Sequence, residues 1–260
     1  VMDKVCLVIG AGAGIGGTVG ARFAAGGYHA VLGRRSDTEG LDRLVSDIRA
    51  AGGAATGRLL NAVEPGEIEA LVDEVERDVG PIHALVYNIG AQIGDRSLPE
   101  TSAKVFERCW RMATFGLFRA AQAVCPLMAA RGSGTVLVTA STAAMRGNAG
   151  QHAHAAAMAG RRMLCQTLNA EFAPRGVHIA HIVIDGAVDA PDTLGKMLGP
   201  ERFAALRSMK GADDGLLLPE HVAETYWHIA HQHRSVWTHE LDLRAWTDQA
   251  WWNHATDTRI

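Results

Sequence analysis

The sequence predicts an α/β protein, a doubly wound sheet of about seven parallel strands with helices on both faces. Three observations carry this. Short apolar runs alternate with longer amphipathic stretches from end to end. A glycine-rich turn separates the first run from the first amphipathic stretch. The length, 260 residues, suits one large domain over residues 1–260 better than two small ones. The expected strands are 5–9, 30–32, 55–60 (weak), 84–87, 135–138, 177–184 and 236–243. Helices are expected at about 14–26, 36–51, 64–79, 99–130, 150–174 and 219–232, with Pro126 interrupting the longest near its end. The segment 186–218 is less periodic and punctuated by Gly, Pro and Asp, where a substrate-covering lid would sit.

Composition narrows the class. Hydrophobic residues make up 48% and charged residues 20%, enough for a sizeable core. Acids and bases are interleaved at a net charge of −3, which argues against nucleic acid as a partner. Cys6, Cys109, Cys125 and Cys165 are far apart and read as reduced thiols, not as a disulfide framework or zinc site. No unbroken apolar run approaches ~20 residues and no charged-then-apolar leader precedes the first strand, so neither a membrane nor a secretory route is expected. The expectation is a cytoplasmic protein.

The turn Gly10-Ala11-Gly12-Ala13-Gly14-Ile15-Gly16 follows a strand and opens a helix. In that setting Gly10 makes the tight turn, Gly12 and Gly14 let backbone approach a phosphate, and Gly16 allows close helix–strand packing. The first amides of the helix, from Ile15 on, and the helix dipole favour a pyrophosphate. This is a Rossmann-type dinucleotide site. The second strand ends Leu32-Gly33-Arg34-Arg35. An NAD site wants an acid there, whereas arginine accommodates a 2′-phosphate, so NADP(H) is favoured over NAD(H).

With its G-x-x-x-G-x-G spacing the turn resembles that of the short-chain dehydrogenase/reductase family, and other motifs agree along essentially the whole chain. Asn88-Ile89-Gly90-Ala91 looks like the family's N-N-A-G. Val136-Leu137-Val138-Thr139-Ala140-Ser141 looks like its catalytic-serine strand. Ile184-Asp185-Gly186 stands where the family usually has Pro-Gly. The resemblance implies cofactor contacts from Asn61 at the adenine, from Asn88 and Gly90 beside the nicotinamide, and from the Val188 backbone at the carboxamide. Ala190 lacks the hydroxyl the family's Thr offers there. It also implies a homodimer or homotetramer.

The family's chemistry uses Ser, Tyr and Lys with an assisting Asn. By the family's spacing, Ser141 is retained, the Tyr position falls on His154, the Lys position on Met158 and the Asn position on Ala113. The chain has no Tyr-x-x-x-Lys; its tyrosines are Tyr28, Tyr87 and Tyr226. Three readings follow. In the leading one, the protein is an NADP(H)-dependent oxidoreductase of a small apolar carbonyl or alcohol. Ser141 hydrogen-bonds the substrate oxygen and His154 moves the proton, since an imidazole needs no neighbouring lysine to titrate near neutrality. In the second, the cofactor stays bound while Ser141 and His154 serve a lyase, dehydratase or isomerase, with a Ser–His–Asp185 triad as its extreme form. In the third, the protein binds nucleotide without chemistry.

Met145, Met158 and Gln151 are candidate substrate-lining residues, with Met163 nearby in sequence and Met197 and Met209 in the lid-like segment. Arg146 either meets an anionic substrate group or sits in solvent. No metal is expected: His152 and His154 are two apart and diverge on a helix, and His228, His231 and His233 lack supporting carboxylates. His178 and His181 read as core or edge histidines. The tail holds Trp237, Trp246, Trp251 and Trp252 and is expected to pack on another subunit or close over a cleft.

Overall fold

The computed structural model describes residues 4–90, 92 and 94–253. Strands β1 (Val5–Ile9), β2 (His29–Arg34), β3 (Ala54–Leu59), β4 (Ile82–Tyr87), β5 (Gly134–Ser141), β6 (Val177–Ile184) and β7 (Glu240–Leu243) form one sheet. Its order is β3-β2-β1-β4-β5-β6-β7, with every neighbouring pair parallel. Strands covered on both faces need apolar residues at every position, which is why β1 reads as an unbroken VCLVI. Its alternate residues feed two cores. Val5, Leu7 and Ile9 pack with α3 (Glu67–Asp78), α5 (Gly116–Arg131) and α6 (His152–Phe172). Cys6 and Val8 pack with α1 (Ile15–Ala25), α2 (Thr38–Ala50) and α9 (Pro219–Ala230).

The expected elements are present, with corrections at their ends. The last strand is Glu240–Leu243, because Arg234–Val236 is a 3-10 turn in which the His233 side chain accepts from the Ser235 amide. Pro126 does not interrupt its helix: α5 runs through it to Arg131. The irregularity lies a dozen residues earlier, where α4 (Ala103–Trp110) runs into α5 through a π-turn, Arg111–Phe115, without a break. A π-turn disturbs the regular carbonyl pairing, and side chains from elsewhere step in. Tyr87 Oη donates to Met112 O at 2.5 Å and Arg161 Nε to Ala113 O at 3.0 Å. Gly116 is required beside it, since a Cβ there would lie 2.1 Å from Tyr87 Oη.

Among the described helices, Ala103–Arg131 alone reaches the length and apolarity of a membrane span, with a mean hydropathy of 1.2 over 18 residues. Counting unbroken apolar runs overlooks it. Half of that window is buried inside the fold. Within it, Arg119 is buried and paired bidentately with Glu69 of α3, at 2.8 and 2.5 Å. The helix is packed as a core helix.

The segment after β6 is partly helical: a π-turn (Pro191–Gly195), α7 (Lys196–Leu198) and α8 (Pro200–Lys210). It is anchored by Asp189, which accepts from Arg207 at 2.7 and 2.9 Å.

Candidate active site

The sheet order reverses between β1 and β4, and a doubly wound sheet opens its binding crevice outside the carboxyl ends of such a pair. A cleft of about 520 Å³ lies there. It is bordered by Gly10 and Gly12 in the middle, by Arg34, Arg35 and Asn61 at one end, and by Asn88 and Gly90 at the other. Ala91, the last residue of the expected quartet, lies outside the described residues.

The glycines act as their positions suggest. Gly10 has φ +101°, a left-handed conformation suited to glycine, and a Cβ there would lie 2.9 Å from the Asn88 backbone. Gly16 packs against that turn, where a Cβ would come within 2.3 Å of Gly10 O. At Gly12 the nearest atom to a Cβ is 4.0 Å away, so this stretch of backbone faces open space at the start of α1. Gly14 caps α1, and Ile15 is its first residue. Open backbone before a helix N-terminus, in a cleft of this size, fits a dinucleotide pyrophosphate.

The two arginines have different situations. Arg34 Nη2 is 2.6 Å from Asp37, and Asp37 also accepts from the Gly40 amide to cap α2. Arg35 is exposed at the rim and has no ion pair among the described residues. A Cβ at Gly33 would sit 3.2 Å from both Leu60 Cδ2 and Val8 O, leaving little room for an acidic side chain. The Asn61 amide N–H donates to Glu67 at 2.6 Å.

Asn88 is a bracket as well as a lining residue. Its Nδ2 donates to Gly10 O at 3.0 Å, and its Oδ1 accepts from Thr139 Oγ1 at 2.7 Å, which ties β1, β4 and β5 together. Val188 forms a single bridge with Leu217. That bridge uses the Ala187 carbonyl and the Asp189 N–H, and Val188's own carbonyl accepts from Ala190.

Ser141, the last residue of β5, and His154, in the first turn of α6, meet: Ser141 Oγ and His154 Nε2 are 3.1 Å apart. His154 is 7% exposed. Met158, one turn on, is buried in a small cluster with Cys109, Ala113, Ala143, Ala144, Ala153 and Ala157, and half-buried Met145 packs on it. Gln151 donates to Asp95 at 3.3 Å. Met163, Met197 and Met209 are exposed and do not border the 520 Å³ cleft.

Asp185 does not serve as the orienter of a triad. Its buried carboxylate accepts from Arg244 Nε at 2.9 Å and from the Trp251 amide at 3.0 Å. Arg146 donates to Trp251 O at 2.8 Å. The tail therefore folds over its own chain, strapped to the loops after β5 and β6, while Trp246 stays exposed. His178 and His181 are buried in β6; burial pushes His181 down to about 4 although Glu240 stands 3.1 Å away. Among the described residues no three His, Cys, Asp or Glu side chains gather in a metal-binding group.

The cleft also has borders the motifs did not indicate: Arg108 and Met112 from the α4 side, and Asp192 and Lys196 from the segment after β6. Thr193, in the same segment, lies over the glycine turn, its Oγ1 3.5 Å from where a Gly14 Cβ would be. They are brought in by long-range packing, and no local pattern marks them.

The family model for short chain dehydrogenases matches residues 4–194, and the chain belongs to that family of oxidoreductases. It is 29% identical over 238 residues to the 3-oxoacyl-[acyl-carrier-protein] reductase FabG of Thermotoga maritima, covering 92% of this chain and 94% of the relative. A short-chain dehydrogenase structure from Rhodopseudomonas palustris is 31% identical, with a TM-score of 0.78 over 94% of this chain and 99% of that one. A structure of actinorhodin polyketide ketoreductase, a single-substitution variant with NADPH, is 25% identical, with a TM-score of 0.79 over 94% of this chain and 96% of that one. Family membership makes the cleft a nicotinamide-dinucleotide site.

Proposed function

We propose that this protein is an NADP(H)-dependent oxidoreductase of a small apolar carbonyl or alcohol, with Ser141 and His154 as its acid–base pair. The observation that carries this reading is the 3.1 Å contact between Ser141 Oγ and His154 Nε2 at the carboxyl end of the sheet. When bound, the dinucleotide supplies or accepts the hydride. The Ser141 hydroxyl donates a hydrogen bond to the substrate oxygen. His154 Nε2 delivers the proton that this oxygen takes up in reduction and removes it in oxidation. The buried methionine–alanine cluster beside the pair disfavours a highly charged substrate.

For the cofactor, exposed Arg35 and the crowding at Gly33 favour a 2′-phosphate over bare ribose hydroxyls. Arg35→Ala is expected to weaken NADPH binding about tenfold or more while NADH binding changes less than about twofold, read by titrating both nucleotides. Equal weakening of the two would overturn the preference.

Met158 at the lysine position favours a second reading, a non-redox lyase, dehydratase or isomerase that retains its dinucleotide. Turnover of small ketones and alcohols followed at 340 nm and by product analysis separates the two. Oxidation-state change that is lost in Ser141→Ala supports the oxidoreductase, and product without absorbance change supports the second reading. Nucleotide binding with neither leaves a binding protein. Exposed Phe106, Trp110, Phe115 and Phe118, with Trp110 and Phe115 stacked 5.3 Å apart, favour a homodimer or homotetramer, measurable by sedimentation. A cytoplasmic location completes the reading.

A further inference from the structure

Arg161 is 1% exposed, and no carboxylate pairs with it among the described residues. Its guanidinium is held by three main-chain carbonyls: Ala113 O at 3.0 Å, Thr139 O at 2.5 Å and Ile89 O at 2.6 Å. These come from the π-turn, from β5 two residues before Ser141, and from the loop just after β4, between Asn88 and Gly90. Carbonyls satisfy the N–H groups without neutralising the charge. Arginine keeps its proton at neutral pH even though burial pushes its pKa down. An unpaired buried charge is costly, and an apolar side chain there would avoid the cost.

Its position relates it to the site. His154, Met158 and Arg161 stand at i, i+4 and i+7 of α6, one face of the helix, and all three are buried. Thr139 and Ser141 share one face of β5. The Arg161 backbone therefore lies about two helical turns from that of His154, and the guanidinium meets β5 at Thr139 O, two residues or roughly 7 Å along the strand from Ser141. The titratable groups around it stay neutral. Tyr87, Tyr226 and Cys165 are pushed up by burial, Cys165 to about 12, and His181 is pushed down to about 4. Arg96 and His154 border one small surface depression, and Asp95 holds Gln151.

We propose that Arg161 is a positioning residue of the Ser141–His154 site, and that its buried guanidinium supplies the fixed positive charge that Met158 does not. It holds the ends of β4 and β5 and the π-turn in register. Its field favours the negative charge that develops on the substrate oxygen beside Ser141 and disfavours imidazolium at His154. The inference rests on the acid–base reading of Ser141 and His154, but its main test needs no turnover.

The test compares Arg161→Met, Arg161→Gln and Arg161→Lys with the unaltered protein. Thermal unfolding and dinucleotide affinity serve as controls, with the His154 imidazole titrated by NMR. In the two neutral variants the His154 midpoint is expected to rise by about one pH unit. Where turnover is measurable, kcat is expected to fall about tenfold while KM and dinucleotide affinity stay within about threefold. Arg161→Lys keeps the charge and is expected to restore both toward the original values. A folded neutral variant with an unmoved His154 titration overturns the proposal, as does a lysine variant indistinguishable from the neutral ones. If neither neutral variant folds, the conservative variant decides. There the charge is tested by the lysine variant: the Arg161→Lys midpoint is expected to match the original, and a folded Arg161→Lys protein whose His154 midpoint rises by about one pH unit overturns the proposal.

Discussion

His154→Ala is expected to lower kcat by about 10²–10⁴-fold while leaving dinucleotide affinity nearly unchanged. The imidazole occupies the first turn of α6 with its Nε2 on Ser141 Oγ, and the glycine turn and Arg35 belong to other elements. Loss of the proton donor therefore separates from loss of binding. The residue is 7% exposed, so the truncation also opens a small buried space. Free imidazole added to the variant is expected to restore part of the rate, which a purely structural defect would not allow. A variant retaining full turnover without imidazole would remove His154 from the chemistry. Steady-state rates at 340 nm, with and without imidazole, make the measurement.

Gly16→Ala is the second large effect, and it falls on binding and stability. The added Cβ would lie 2.3 Å from Gly10 O and 2.7 Å from Asn88 Nδ2. Both groups are fixed: Asn88 already bonds Gly10 O and Thr139, and the Gly10 amide bonds Gly33 O at 2.9 Å. Relief requires α1 to move off the sheet, at a cost of about 1–3 kcal/mol or somewhat more. The same movement displaces the helix N-terminus from the cleft, so dinucleotide affinity is expected to fall by at least about tenfold. Denaturant unfolding and nucleotide titration check the two parts. Gly12→Ala is the control: a Cβ there meets nothing nearer than 4.0 Å in the protein, so stability should be nearly unchanged while binding weakens.

Much of this protein is legible in order along the chain. Alternating apolar and amphipathic stretches mark all seven strands and their helices, because a parallel sheet covered on both faces demands unbroken apolar runs. The glycine spacing marks the turn, because each glycine answers a steric demand set within a few residues or across one strand pair. Ser141 and His154 are identifiable through the family resemblance, which sets their separation, and the fold brings them to 3.1 Å. The misplaced interruption in the long helix is instructive. Pro126 is the local signal for an interruption, yet the irregular turn is at Arg111–Phe115, where Tyr87 and Arg161 provide donors from other elements.

The sequence by itself determines the sheet, the dinucleotide turn and the absence of a Tyr-x-x-x-Lys pair, all of which depend on residue type at fixed spacing. Tertiary structure alone decides what the isolated polar residues do. Asp185, a conceivable member of a triad, is taken by Arg244 and the tail. Arg34 is taken by Asp37, while Arg35 has no ion pair among the described residues and stands at the rim. Arg161, which no motif marks, lies beneath the site on carbonyls from three separate elements. A charged side chain's role depends on which partners reach it through space, and neighbours in sequence do not specify those partners.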